Sequence, residues 1–302
     1  MLSTIANIEK HIKKLCIPKQ HKISTLLYLN DSEMYTKMFG YVESKKMIGG
    51  NDENPYIVTY KNDNYIFNKS YDSDLILYAL HKDNNKDLMP YCILVIVDKK
   101  NKCAIIESLG FDKRCYTGLQ IESLEDEANG STLLKIAMAL IVKIKDHYKL
   151  KTVRLKDNAR KICKGSQTGD ISMSVLYMFT HGDTWYGSYG FIPYDSISGK
   201  KDKPMIKAYN NNKYIIMFTK VKETNMANHM KYAVNKLNIK MSDNEIEAFI
   251  NINKNMTLIK FFGELLEKYD ITCGIFSIIA EKIIDELNMM NLHGISYFIK
   301  LR

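Results

Sequence analysis

Residues 91–109, YCILVIVDKKNKCAIIESL, decide the fold. Two runs of β-branched and other apolar residues flank a polar segment, DKKNK at 98–102. Short apolar runs on both sides of a polar turn are typical of a β-hairpin. Because both runs are almost continuously apolar, we expect both faces of the hairpin to be covered by other parts of the chain. The stretch therefore predicts two neighbouring strands inside a packed domain.

The chain after this hairpin predicts a buried helix over residues 132–149, TLLKIAMALIVKIKDHYK. Apolar residues surround most of its circumference between Leu133 and Ile144, as in helices that lie inside a core. The preceding EDEANGST, residues 125–132, is predicted to be a loop in which Asn129 or Ser131 caps the helix. Patterning predicts the other elements: a hairpin over 55–68, a short strand or a helical turn over 75–80, strands over 116–124, 151–155, 190–193 and 213–220, and a helix over 171–181.

The distribution of these elements predicts three parts. Residues 1–50 are predicted to be a helical extension, and residues 51–221 an α+β domain with a mixed sheet and flanking helices. From 222 to 302 the pattern changes to four successive helices, one of which opens with a capping box at residues 242–245, SDNE. These helices are predicted to pack within the chain or to form the interface of a homodimer.

Composition excludes several classes of protein. The 302 residues are 46% hydrophobic and 25% charged, which are values of a folded chain rather than a disordered one. No apolar run reaches the roughly 18–20 residues that a membrane span needs, so no membrane partner is expected. The six cysteines form no C-x-x-C pair, which predicts no metal site and reduced thiols in a cytoplasmic location.

The net charge of +9 is concentrated in one stretch. Residues 143–164 hold nine Lys and Arg residues against Asp146 and Asp157. A surface of this sign attracts phosphates, so the stretch predicts contact with a nucleic acid or with a phosphorylated cofactor. The alternative is a solvated lysine-rich face, because lysine is abundant throughout this chain.

Residues 184–191, TWYGSYGF, carry a family resemblance. Their Y-x-x-x-G-F pattern, together with the element order over 90–220, resembles the Gcn5-related N-acetyltransferase (GNAT) fold. The sequence is similar to GNAT-like proteins of large cytoplasmic DNA viruses, which fits its many Lys, Asn, Ile and Tyr residues. The resemblance implies a GNAT-like sheet and the transfer of an acetyl group from acetyl-CoA to an amine.

The resemblance also implies a cofactor site. In that family a Q/R-x-x-G-x-G/A loop before the buried helix holds the pyrophosphate of acetyl-CoA through backbone amides. The matching positions are Glu127, Gly130 and Thr132, with Ser131 between them; only Gly130 agrees with the pattern. Asn158 matches an asparagine that often follows the next strand in the family. The acidic residues beside Gly130 favour a helix cap over a diphosphate site.

For catalysis the resemblance implies that Tyr186 protonates the leaving thiolate of CoA. Either Glu107 or Glu122 is the candidate general base. Two alternatives stay open at this point. One is a catalytically inactive GNAT-fold protein that binds a nucleic acid or a protein, and the other is an acyltransferase of the same fold that uses aminoacyl-tRNA.

Overall fold

A computed structural model describes residues 56–61, 63–81, 91–110, 126–162, 170–194, 203–268 and 272–301. Contacts divide the described chain into two units. The first unit contains the residues up to Lys156 together with 297–301, and the second contains Asp157–Ser296. The contacts divide the described chain at 156/157 and again at 296/297. They show no division near residue 221, where the sequence analysis predicts a boundary.

The first unit is built on a sheet. Its strands are β1 (Tyr56–Tyr60), β2 (Asp63–Asp72), β3 (Leu75–Leu80), β4 (Ile93–Asp98), β5 (Cys103–Leu109) and β6 (Thr152–Lys156). Strands β1 to β5 form an antiparallel meander, and β5 pairs with β6 in parallel. The hairpins predicted over 55–68 and 91–109 and the strands predicted over 75–80 and 151–155 are confirmed.

The β4–β5 hairpin forms as its sequence predicts. Its turn is held by Asp98, whose carboxylate accepts hydrogen bonds from the backbone amide of Asn101 at 2.8 Å and from the Asn101 side chain. Lys102 adopts a positive φ of 52° to complete the turn. Ile93, Val95 and Val97 point to one face and are fully buried, since alternate residues of a strand share a face.

The helix α1 (Asp126–Tyr148) connects β5 to β6. It is buried along its length from Leu133 to Ile144, as its apolar circumference predicts. The Tyr148 hydroxyl lies 2.8 Å from the hydroxyl of Tyr78 on β3, and α1 also packs against β1. After α1 the amide of Lys151 donates to the carbonyl of Lys102, so the chain returns to the end where β5 begins.

The second unit is mainly helical. Two short strands, β7 (Arg160–Ile162) and β8 (Asp170–Ser172), form a separate antiparallel pair. A further strand is β9 (Ile192–Pro193). The helices are α2 (Met173–His181), α3 (Lys203–Phe218), α4 (Met226–Lys236), α5 (Asp243–Asn253), α6 (Leu258–Lys268) and α7 (Thr272–Glu286).

Aromatic packing joins these helices. The rings of Phe179, Phe262 and Phe276, from α2, α6 and α7, lie with centroids 4.7 to 6.1 Å apart. Since α2 precedes residue 221 and the other two follow it, this contact explains why no boundary falls there. The capping box predicted at Ser242 is confirmed, because Ser242 and Glu245 bond reciprocally at the start of α5.

Two elements differ from the sequence predictions. Residues 213–220 are not a strand: residues 213–218 are the last part of α3, because the helical run begins at Lys203 and includes them. A last strand, β10 (Ser296–Lys300), was not predicted. Within the first unit the sheet order is β1-β2-β3-β4-β5-β6-β10. The predicted elements over 1–50 and 116–124 lie outside the described residues.

The cysteines differ in part from the prediction. Cys92 is disulfide-bonded, so the expectation of reduced thiols is wrong for this residue. Cys103 is a free and fully buried thiol, and burial raises its pKa. In the described ranges, no helix has both the length and the apolar character to cross a membrane.

Candidate functional site

The parallel ladder includes four of the five residues of β6 but only the first four of the seven residues of β5. The parallel ladder runs from Cys103 opposite Thr152 to Ile106 opposite Leu155, whereas β5 continues to Leu109. Beyond Ile106, residues 107–109 of β5 lie beside β4 and have no ladder partner in the described part of β6. The backbone of β5 therefore presents unpaired positions toward its parallel neighbour at the carboxyl end of the strand.

A β-bulge lies where this ladder ends. Val95 pairs with Ile106 and Leu94 pairs with Ser108, so Glu107 is the extra residue on β5. A bulge re-aims the side chain it carries and ends regular pairing. Glu107, one of the two predicted bases, is exposed at this point. Glu122, the other predicted base, lies outside the described residues.

The start of α1 differs from the sequence prediction. Residues 126–132 are already helical, so the loop predicted over 125–132 is wrong for those positions. Gly130, Ser131 and Thr132 are the fifth to seventh residues of α1, where amides bond within the helix. The amides without an intrahelical partner belong to residues 126–129. A cofactor role for Gly130, Ser131 and Thr132 stays a prediction. Their backbone amides do not support it, because these amides bond within the helix.

His81 was missed by the sequence analysis. It follows β3, and the nearby Cys92 amide donates to the Leu80 carbonyl at 2.9 Å. His81 therefore lies at the end of the strands where β3 and β5 finish and β4 begins. Its ring lies 5.0 Å from the ring of Tyr91, and its Nδ1 atom is buried without a hydrogen-bond partner among the described residues. A single histidine in a polar loop gave no sequence signal.

Tyr186 lies in the second unit, in the turn between α2 and β9. Its side chain is 6% exposed and its ring contacts Trp185 and Phe191. The carbonyl of Tyr186 accepts from the amide of Phe191, and Gly190 completes the turn with a φ of 81°. The conformation of Gly190 explains the glycine of the Y-x-x-x-G-F pattern, because side chains rarely adopt a positive φ. The acid role of Tyr186 stays a prediction.

A buried polar network lies under this turn. Asp183 accepts from the Tyr209 hydroxyl, from the Lys213 ammonium at 2.5 Å and from the Thr184 amide at 2.8 Å. The Thr184 hydroxyl accepts from the Gly187 amide at 3.0 Å. Two residues of α3 are therefore tied to the turn that holds Tyr186, which the sequence did not predict.

Asn158 follows β6, as the resemblance implies, and its side chain is exposed. The neighbouring Asp157 is instead 1% exposed. Its carboxylate accepts from the Ser174 hydroxyl at 2.5 Å and from the Ala159 amide at 3.1 Å. Burial raises the pKa of Asp157, and these hydrogen bonds and nearby His293 partly oppose that rise.

Replacing Asp157 by asparagine is expected to stabilise the second unit at neutral pH. Because the pKa of Asp157 is raised in the folded state, the folded chain binds more protons than the unfolded chain, and the free energy of unfolding falls as pH rises above about 4. Asparagine keeps an acceptor for Ala159 and carries no charge. Urea unfolding from pH 4 to pH 8 should show that the free energy of unfolding of the wild type falls increasingly below that of Asp157→Asn as pH rises. A difference between the two proteins that did not depend on pH would contradict the raised pKa.

The described residues of the basic stretch 143–164 belong to both units, which divide after Lys156. In the first unit, the Nζ atom of Lys143 donates to the Ile57 carbonyl at 2.7 Å, and Arg154 lies on β6. In the second unit, a guanidinium nitrogen of Arg160 lies 2.6 Å from the His293 ring. Contact between this stretch and a nucleic acid stays a prediction.

Within the described ranges, no group of three or more His, Cys, Asp or Glu side chains is arranged to hold a metal ion. No protein-family model, curated protein or solved structure matches the chain. The candidate site is therefore argued from its own geometry.

Proposed function

We propose that the chain is an acyltransferase that moves an acetyl group from acetyl-CoA to an amine, with the donor bound by the first unit. The observation that carries the proposal is the parallel pair β5–β6, whose ladder stops after four residue pairs while β5 continues through the bulge at Glu107. Ligands of sheets with parallel strands bind outside the carboxyl ends of those strands. The GNAT resemblance in residues 184–191 supports the same reaction class.

Residues 107–109, which have no ladder partner on the β6 side among the described residues, suit the arm of CoA. That arm carries two amide groups, and an extended amide chain pairs with a free strand edge through main-chain hydrogen bonds. The thioester at the end of the arm then lies near the bulge. This arrangement requires no side chain on β5 other than the base at Glu107.

The amides of residues 126–129 are the candidate donors for the diphosphate of CoA, because the first turn of a helix has unsatisfied N–H groups and a positive partial charge. By sequence, two of these four residues are acidic, Asp126 and Glu127. Like charges at one site repel, so we expect affinity for CoA in the high micromolar to millimolar range rather than below it.

In the reaction, the nitrogen of the amine attacks the thioester carbonyl, a carbon–nitrogen bond forms and the carbon–sulfur bond breaks. Glu107 accepts the proton that the amine loses. The CoA thiolate leaves and takes a proton from solvent.

The donor site is tested by thermal denaturation with millimolar CoA. A ligand that binds only the folded state raises the midpoint, and CoA at one to three times the expected Kd stabilises the protein by about 0.4–0.8 kcal/mol. ADP at the same concentration is the control for unspecific binding of phosphates to this basic chain. Equal shifts with CoA and ADP, or no shift with either, would end the donor proposal.

The base is tested by Glu107→Gln, with Glu281→Gln as a matched control at an exposed position of α7. Loss of a general base lowers turnover by about 10²–10⁴-fold. The release of free thiol from acetyl-CoA in the presence of a polyamine or a lysine peptide reports the rate. Glu107→Gln should retain the CoA-induced shift, whereas an unchanged rate would remove Glu107 from the mechanism.

A further inference from the structure

Three tyrosine rings of the outer strands of the first unit each lie beside a lysine ammonium. Lys69 lies on β2, Lys61 in the turn after β1 and Lys143 on α1. Each lysine ammonium lies against one tyrosine ring, at 5.9 Å for Lys61 and Tyr60, 5.2 Å for Lys143 and Tyr56, and 4.9 Å for Lys69 and Tyr71. We call this set the tyrosine–lysine surface: Tyr56, Tyr60, Tyr71, Lys61, Lys69 and Lys143.

The register places these side chains on one face. Tyr56 lies opposite Phe67 and Tyr60 opposite Asp63, so both share a face with alternate residues of β2, including Lys69 and Tyr71. Helix α1 packs on the same face, with Lys143 against Tyr56 and the Ile57 carbonyl. Val58, Tyr65 and Phe67 on this face are buried, so the surface follows the margin of the contact between α1 and the outer two strands.

A fourth lysine extends this row. Burial lowers the pKa of Lys135, and the ammonium of Lys61 lowers it further. Lys135 and Lys143 are eight residues apart on α1, about 12 Å along the helix. The ammonium groups are therefore distributed along this margin of α1 and do not gather at one point.

Few carboxylates accompany these lysines. Asp63 is the only one that the described residues of β1 and β2 bring to this face. In the ranges that the structure describes, no ion pair joins a carboxylate to Lys61, Lys135 or Lys143. The row of positive charge is suited to a chain of phosphates.

The aromatic rings decide which phosphate chain fits. Tyr71 is 50% exposed although it lies on a strand beside buried residues. Bases of single strands stack on exposed aromatic rings while lysines follow the backbone, whereas a duplex hides its bases. An anionic lipid surface would also attract lysines and accept tyrosine rings, so competition with lipid vesicles is one arm of the test below.

We propose that the tyrosine–lysine surface binds single-stranded nucleic acid, with Lys61, Lys69, Lys135 and Lys143 on the phosphates and Tyr71 stacked on a base. The surface lies on β1, β2 and α1 from Lys135 onward, whereas the proposed donor site lies at β5, β6 and the first turn of α1. The proposal is therefore independent of the proposed transferase activity.

The test is fluorescence anisotropy of a labelled oligodeoxythymidine over a series of salt concentrations. The variant with Lys61→Gln and Lys69→Gln should raise Kd by about tenfold or more and lower the slope of log K against log salt by about 1.4, since each single-strand phosphate contributes about 0.7. The control carries Lys99→Gln and Lys100→Gln, two exposed lysines of the β4–β5 turn with the same total charge change. We expect the control to keep the wild-type slope.

Stacking is tested separately. Tyr71→Ala should raise Kd about tenfold without changing the salt slope, and Tyr71→Phe should retain affinity because a phenyl ring still stacks. Equal losses in both lysine variants, no binding at low salt, or equal affinity for a duplex would each overturn the proposal. Stronger competition by anionic lipid vesicles than by unlabelled oligonucleotide would overturn it as well.

Discussion

Replacing Gly187 by alanine is expected to destabilise the second unit by about 3–5 kcal/mol, the cost of disrupting a buried charged network. A Cβ atom at this position would overlap the Asp183 carboxylate and the Tyr209 hydroxyl. Both groups are buried and bonded to each other, so neither can move without breaking the network under the turn. Overpacking adds to this cost because a dense interior transmits the displacement.

The single tryptophan of the chain, Trp185, lies in the same turn and is buried, so its fluorescence reports the unfolding of this unit. Thermal denaturation should show a midpoint about 10 °C or more below that of wild type, and urea denaturation a midpoint at lower urea concentration. Gly263→Ala is the matched control, because a Cβ in the middle of α6 meets nothing within 4 Å. Alanine there should stabilise the protein by about 0.5–1 kcal/mol. If both variants behaved alike, the close approach at Gly187 would be disproved.

Replacing Asn212 by alanine should destabilise the same unit by about 2–4 kcal/mol, because buried polar groups left without partners cost about 1–3 kcal/mol each. The Asn212 side chain is fully buried in α3. Its amide nitrogen donates to the Met290 carbonyl at 2.7 Å, and its oxygen accepts from the Met290 amide at 2.9 Å. Alanine removes both bonds and leaves the backbone of Met290 unsatisfied.

The adjacent Asn211 provides the control, since it is exposed on the same helix. Asn211→Ala should change the free energy of unfolding by less than about 0.5 kcal/mol. Asn212→Asp should keep the acceptor and lose the donor, with a loss that grows as pH rises and the buried carboxyl ionises. Equal effects of Asn211→Ala and Asn212→Ala on the urea midpoint would refute the role of the Met290 contact.

Local pattern was sufficient for most elements. The hairpin over 91–109, the buried helix that became α1, and the capping box at Ser242 each depend on residues within about twenty positions of one another. The error at 213–220 has a local reason too: Tyr214, Ile215 and Ile216 favour a strand by composition, but the preceding residues make them the end of a helix.

The candidate site was predictable only in part. Glu107 was selected from the sequence as a carboxylate on a strand, yet its place at a bulge depends on the pairing of β5 with β4 and on the end of its pairing with β6. Gly130, Ser131 and Thr132 were selected by a motif. Their position inside α1 depends on where the helix begins, which caps alone did not specify.

By itself, the sequence determined the α+β class, the hairpins and the caps, because these arise from alternation, helical spacing and side chains that bond to nearby backbone. Tertiary structure decided what joins residues distant in the chain. The amide of Leu301 bonds to the Lys151 carbonyl, Asn212 holds Met290, and Lys61 faces Lys135. Such contacts leave no periodic trace in a single sequence, since either partner alone is an ordinary polar residue until the fold brings the other beside it.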